Sequence, residues 1–457
     1  MKTDYLVIGA GAAGMAITDA LLSHSDATVT IVDRRHAPSG HWIDAYPYVR
    51  PHQPSAFYGV DSTPLGEDAI DGTGWNAGYY ELATADDIRS YFGRVMERRF
   101  LASGRVRYFP NCDYLGDRRV ASRLTGASWE LDVTRKIIDT TYVEGEIPAT
   151  SAPPFTVADG VRCVPAGAIT RLDQHADDFV VIGAGKTALD TCIWLLEHGV
   201  GPEAIRWVKP REGWWLNRRF FQPQTRLPEM YVGLAIQLEA MARATSLPDL
   251  FARLEAERFV LRVDTMVTPT MCRGANIGEA ELELVRQIEH VIRLGHVQSI
   301  GLDTITLDQG QVATNARTLH IHCASRGLRR RPLRPMFEPG RITVQPYMAG
   351  FACFQFATLG VAEALVEGDD EKNRLFPPIQ YWDSTADYLS AFVAGIANTR
   401  NRAAHPALAN WAKRSRLNPF SEGDRYNGDP SVIAARERIT RYGPAAVETL
   451  AGLIRLA

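Results

Sequence analysis

No Cys-x-x-Cys pair occurs in this sequence; its six cysteines (Cys112, Cys163, Cys192, Cys272, Cys323, Cys353) are scattered over 457 residues. That argues against a redox-active disulfide and against a disulfide framework, and leaves reduced, mostly buried thiols as the expectation. No His/Cys cluster stands at metal-ligand spacing, and neither a Gly-x-Ser-x-Gly elbow nor a Walker phosphate loop is present. An excess of one charge is lacking too. Lys and Arg number 50 against 53 Asp and Glu, a net charge of −3, which gives no electrostatic footprint for nucleic acid or an anionic membrane. One nearly apolar stretch of membrane-like length, Tyr347 to Val366, is interrupted by Gln355, Thr358 and Glu363 and punctuated by glycines, so it reads as a buried strand, turn and helix rather than a membrane span. No signal segment precedes the first apolar run, and a cytoplasmic protein is expected. With 46% hydrophobic and 23% charged residues the chain has globular values, and its length suggests two or three domains.

What is present is a pair of glycine-rich fingerprints. The first, Gly9-Ala10-Gly11-Ala12-Ala13-Gly14, follows the apolar run Tyr5 to Ile8; the second, Gly183-Ala184-Gly185-Lys186-Thr187-Ala188, follows Phe179 to Ile182. Each is expected at a strand-to-helix turn, with helical patterns following over Met15 to Leu22 and Leu189 to Leu196. There the first glycine takes the tight bend, the second lets the backbone approach a pyrophosphate, and the third small residue lets helix and strand pack closely. Two such turns imply two bound nucleotides.

The residues after each fingerprint indicate which nucleotide goes where. Thr28 to Val32 reads as the next strand and ends in Asp33, followed by Arg34, about 20 residues past the glycines, where a carboxylate bonds an unphosphorylated ribose 2′-OH. That suits FAD or NAD. The equivalent strand of the second unit, Ala204 to Val208, runs into Lys209-Pro210-Arg211, whose cations complement a 2′-phosphate and suit NADP, unless they form a solvated basic loop.

Along the rest of the chain, Thr84 to Leu101 reads as an amphipathic helix with Thr84 as N-cap, Gly104 to Phe109 as a strand, and Ser128 to Val133 as alternating β-structure. A Pro-rich stretch, Pro148 to Pro154, marks a crossing between domains. Helices are expected between Leu227 and Arg262, with Pro228 and Pro248 at their starts, and over Glu279 to Leu294, with strands at Val297 to Ile300 and Leu319 to His322. A helix near Phe356 to Val366 precedes a mainly helical C-terminus. The expected class is α/β: two Rossmann-like dinucleotide-binding domains with a helical insert. Their expected bounds are 1–168 for the first part of an FAD domain, 169–325 for an NADP domain carrying the insert, and 326–457 for the return to the FAD domain and the C-terminal helices.

This order resembles the two-dinucleotide-binding-domain flavoproteins. Within them, Gly40-His41-Trp42, Tyr46-Pro47-Tyr48, Arg50, His52, Ser55 and Tyr58 resemble a segment of the class B flavin monooxygenases, both the flavin-containing and the Baeyer-Villiger enzymes. Two departures stand out: His52 replaces the usual acid, and the Phe-x-Gly-x-x-x-His-x-x-x-Trp motif of Baeyer-Villiger enzymes is missing between Val133 and Asp178.

The resemblance implies an FAD- and NADPH-dependent enzyme that passes hydride to the flavin and shelters a C4a-(hydro)peroxyflavin from water while one oxygen atom of O2 is transferred to a small molecule. N- or S-oxygenation stands ahead of Baeyer-Villiger insertion. A reductase passing electrons to a quinone or protein acceptor, and a non-catalytic flavoprotein, stay open as alternatives. Trp42, Tyr46, His52 and Tyr58 are the candidate catalytic wall around the isoalloxazine. Candidate cofactor contacts are Gly9, Gly11, Gly14, Asp33, Arg34, Gly40, Trp42 and Arg50 for FAD, and Gly183, Gly185, Lys186, Thr187, Lys209 and Arg211 for NADPH. Gln355 and Phe356 join them, because the helix they open directs its N-terminus at developing negative charge on the flavin. Trp214, Trp215, Asn217, Arg218, Arg219 and Gln222 form a second set, for the adenine and 2′-phosphate or for the substrate entrance. A homodimer is compatible with this reading.

Overall fold

The structure, a computed structural model, describes residues 1–325 and 327–456, with side chains to residue 453. Strand Lys2–Ile8 lies at the centre of a six-stranded sheet, parallel to Val29–Val32 on one side and to Asp132–Asp139 on the other. All four residues of Val29–Val32 are buried, as expected of a strand covered on both faces. Val106–Phe109 extends one edge, while Arg341–Thr343, from far along the chain, extends the other. The return segment also supplies helix Ala352–Leu365, which packs on Ala12–His24; a Cβ at Gly360 would stand 2.8 Å from the Ile17 carbonyl oxygen, so only glycine permits this approach.

The second lobe repeats the pattern. Its five-stranded sheet is all parallel, in the order Val291–Ile292, Ile205–Val208, Asp178–Ile182, Thr318–His322, Cys163–Pro165, and helix Lys186–Glu197 follows the central strand. Since Cys163–Pro165 belongs to this sheet and Thr156–Val157 pairs with Val297–Ile300, the crossing between lobes falls between Asp139 and Thr156, earlier than residue 168. The prolines of 148–154 lie in it. A bridge between Glu146 and Gly327 ties the outgoing connection to the returning one.

Helices Leu227–Arg243 and Leu247–Ala256 form the insert, with proline in the first turn of each, where the missing N–H costs nothing. The long helix Pro430–Leu456 packs on this insert, where Ala446, Leu450 and Leu453 share a core with Ile236, Met241 and Leu250. So the last helix belongs to the insert, although helix Pro406–Ala412 does reach the first lobe's core through Leu408 and Trp411.

Local expectations were met with instructive exceptions. Thr84 caps helix Ala85–Val95 in a reciprocal capping box with Asp87, and the chain continues through a π-helical turn, Met96–Phe100. The helix expected over Glu279 to Leu294 stops at Val285, because Val291–Ile292 pairs with Trp207 and Val208 at the sheet edge. Sheet pairing overrode a helical spacing. No strand forms at the start of Tyr347 to Val366; a loop there leads into the helix. Among the described residues no helix is long and apolar enough to cross a membrane, and no group of His, Cys, Asp or Glu is arranged to hold a metal ion.

Candidate functional site

One cleft of about 990 Å³ lies between the lobes, and both fingerprints open on it. That is near the upper end of the roughly 300–1,000 Å³ of ordinary ligand clefts. Gly11 and Gly185 are the N-caps of their helices, and neither helix start is capped by a side chain. The first-turn amides of both are therefore left for an anion, as a pyrophosphate requires.

At the first fingerprint, Gly9 has φ +102°, a left-handed conformation that suits glycine, and a Cβ on Gly14 would overlap the Gly9 carbonyl oxygen. Gly11 faces Gly40 closely enough that a Cβ on Gly40 would stand 2.8 Å from the Gly11 Cα. Asp33 is buried at the end of Val29–Val32; its carboxylate accepts from the Ala10 N–H at 2.6 Å and the Arg35 N–H at 2.7 Å. Burial raises its pKa against those two donors, and the two oxygens keep lone pairs for a ribose hydroxyl. Arg34 pairs with Glu144 at the cleft edge, and the Arg50 guanidinium donates to the Leu82 carbonyl at 2.5 Å.

The four expected wall residues all line the cleft, but most of their polar atoms are already committed. Trp42 Nε1 donates to the Tyr58 hydroxyl at 2.6 Å, with the rings edge to face at 5.8 Å. The Tyr46 hydroxyl donates to Asp190 at 2.7 Å. His52 differs: among the described residues its ring hydrogen-bonds no protein group, and it faces the cleft. His52 is exposed to the open cleft; crowding by the cleft walls, followed by the charges of Lys186 and Arg218, lowers the imidazole pKa from its ordinary value, which favours the neutral ring at pH 7.

Beneath His52 runs a buried charge network. Lys186, the first helical residue of the second fingerprint, pairs with Asp190 and reaches Glu281 at 3.2 Å; Glu281 in turn meets Arg218 at 2.5 Å. Burial alone would raise the Glu281 carboxyl, but the charges of Arg218 and Lys186 outweigh it and bring it down to about 2. Two cations and two carboxylates thus cancel in the interior, the arrangement buried charges require. Of these, Lys186 and Arg218 were visible in the sequence, with Arg218 expected on a nucleotide or at the substrate entrance. Asp190 was legible only as an i,i+4 partner of Lys186, and Glu281 only as an N3 acid after Gly278.

The basic residues after the second unit separate. Arg211 lines the cleft, but Lys209 does not: its side chain is 1% exposed, paired with Glu212 and held over the Trp207 ring at 4.5 Å. A cation so enclosed cannot meet a 2′-phosphate. Arg273 also lines the cleft and shares Asp383 with Arg211. The second set also divides: Trp214 and Trp215 line the cleft, whereas Asn217 bonds Arg258 and Glu279, and Gln222 bonds Tyr80 and Arg218. Gln355 and Phe356 line the cleft as well. The Gln355 side chain is spent on its own loop, accepting from the Tyr347 and Met348 amides at 3.1 and 3.3 Å and donating to Gly350.

Fold and cleft define the class: two Rossmann-like dinucleotide-binding lobes that face one cleft. Over residues 7–60 the chain matches a family described as an NAD(P)-binding Rossmann-like domain. The open crystal structure of cyclohexanone monooxygenase superposes with a TM-score of 0.50 at 12% identity, over 97% of this chain and 98% of that one. "Uncharacterized protein Rv2000" of Mycobacterium tuberculosis (strain ATCC 25618 / H37Rv) is 41% identical over 423 residues, 92% of this chain and 78% of the relative, as is "Uncharacterized protein Mb2023" of Mycobacterium bovis (strain ATCC BAA-935 / AF2122/97). The chain belongs to the family of these mycobacterial proteins.

Proposed function

We propose that the chain is an FAD- and NADPH-dependent oxidoreductase that transfers one oxygen atom of O2 to a small molecule, with N- or S-oxygenation favoured over Baeyer-Villiger insertion. The observation that carries this reading is the single cleft onto which two uncapped fingerprint helices open, with a neutral His52 ring unengaged between them. FAD would fit the first site: the amides after Gly11 would hold its pyrophosphate, Asp33 its ribose, and Gly40, Arg34 and Arg50 would border it. NADPH would fit the second, held at Gly183, Gly185 and Thr187, with Arg211 to meet its 2′-phosphate and Lys186 to steady the helix start.

A bound flavin would supply the redox chemistry, accepting hydride from the coenzyme and passing electrons to oxygen. The chain's own residues do the rest. Trp42 and Tyr58, locked by their mutual hydrogen bond, form a rigid apolar wall that keeps water out. His52, neutral, can donate through one ring nitrogen and accept through the other, holding a proton near the reacting oxygen without adding charge. The N-terminus of helix Ala352–Leu365 faces the same cleft and favours negative charge there.

The test is to mix the reduced protein with 18O2 and NADP⁺ in the presence of candidate amines, sulfides and ketones. Isotope in the product, with less than stoichiometric hydrogen peroxide, supports oxygenation. Stoichiometric peroxide with every candidate, together with rapid loss of electrons to an added quinone, replaces this reading with a reductase.

A further inference from the structure

We propose that Asp383 is a built-in competitor for the coenzyme's 2′-phosphate, seated between the two arginines that would bind it. Arg211 Nη1 and Nη2 lie 2.6 and 3.3 Å from the Asp383 carboxylate, and Arg273 Nε lies 2.6 Å from it. Arg211 stands three residues past strand Ile205–Val208, the second strand of the second nucleotide unit, where the adenosine ribose of a bound dinucleotide is held. Arg273 arrives from a separate loop, and both arginines line the cleft. The two guanidiniums therefore converge on the place where a 2′-phosphate would fall.

Asp383 is carried there by a strap. The Cys272 N–H donates to the Asp383 carbonyl at 2.9 Å, and Met271 and Ser384 form an antiparallel bridge, so backbone pairing holds the segment on the second lobe just before helix Thr385–Ala403. The ions are not sealed in: Arg211, Arg273 and Asp383 side chains are 38, 28 and 29% exposed. Two guanidiniums and one carboxylate leave a net charge of +1. A phosphate monoester carries about −1.5 to −2 at pH 7, and beside the carboxylate it would face a like charge. With Asp383 displaced, both guanidiniums become free to receive it as planar forks. NAD, without the phosphate, has nothing to exchange for Asp383. Arg273 and Asp383 thus set coenzyme choice together, one by attraction and the other by competition, an inference that rests on the second fingerprint holding NADPH.

Calorimetric titration of the flavin-loaded protein with NADP⁺ and with NAD⁺ tests it. Asp383→Asn should tighten NADP⁺ about tenfold, or ~1.4 kcal/mol, and leave NAD⁺ unchanged. Arg273→Gln should weaken NADP⁺ on the order of tenfold, again sparing NAD⁺. Unchanged NADP⁺ affinity in Asp383→Asn overturns the proposal; should that variant not fold, equal effects of Arg273→Gln on both coenzymes overturn it. A wild-type protein that binds neither nucleotide, or both alike, removes the NADPH reading itself and the inference with it. A wild type that prefers NADP⁺ while the variants behave like it removes the competitor alone.

Discussion

The Tyr46 hydroxyl donates a 2.7 Å hydrogen bond to Asp190, joining the segment behind the first fingerprint to the helix behind the second. Tyr48, two residues on, donates to the Ala166 carbonyl at 3.0 Å and meets the Thr191 hydroxyl at 2.9 Å. One short segment of the first lobe thereby grips the start of the second nucleotide unit. Tyr46→Phe leaves Asp190 with Lys186 but without its second donor, and should cost about 1–3 kcal/mol of stability, since the carboxylate is buried. Urea unfolding measures this, and an unchanged midpoint would show that the contact does not couple the lobes. Flavin binding should survive, because the hydroxyl faces away from the first fingerprint toward Asp190.

Glu281→Gln should be more damaging. It leaves Arg218 and Lys186 buried with Asp190 as their one carboxylate, and removing one partner of such a set typically costs about 3–5 kcal/mol. The same group makes stability depend on acid. Glu281 is held at about 2 in the folded chain against 4.5 ordinarily, so between those values the unfolded chain binds a proton that the folded chain does not. Its contribution is complete above the ordinary value and fades as pH falls toward 2. Thermal unfolding of wild type should therefore lose more stability between pH 6 and 3 than that of Glu281→Gln, and parallel curves would contradict the assignment.

Lys209 and Arg211 should separate cleanly when each is changed to alanine. Lys209→Ala removes a buried cation from Glu212, whose remaining partner is Arg293 at 2.9 Å, and should lower the melting temperature without shifting coenzyme preference. Arg211→Ala should do the reverse, raising the NADPH Michaelis constant on the order of tenfold at near wild-type stability, because a charge-assisted contact is worth roughly 1.5–3 kcal/mol. Equal kinetic effects of the two would return Lys209 to the coenzyme site.

These residues also show what the sequence could reveal. The fingerprints were legible because glycine is demanded by local backbone geometry, as at Gly9 with φ +102°, and local demands are written in adjacent residues. The N-cap at Thr84 and the prolines opening the insert helices were legible for the same reason. Lys209 was misplaced because sequence position names the end of a strand but not which way a side chain turns, and Glu212 turned it inward. Asp383 and Arg273 carried no signal at all, since they meet Arg211 only after three distant segments have folded. The site was therefore readable where one turn makes it, and hidden where tertiary contacts make it.

Gly11 offers a direct check on the first site. A valine there would place a side chain against Gly40, whose Cα is already 3.4 Å from where a Gly11 Cβ would stand, and into the space the pyrophosphate needs. Gly11→Val should purify folded but colourless. A yellow variant with full flavin content would mean the dinucleotide lies elsewhere.

The central claim, two nucleotides meeting in one cleft, is tested most directly by anaerobic titration of the FAD-loaded protein with NADPH, following the visible flavin band. The account predicts complete bleaching at one equivalent of NADPH and markedly slower bleaching with NADH. A protein that cannot be loaded with FAD, or whose bound flavin NADPH leaves oxidised, would contradict it.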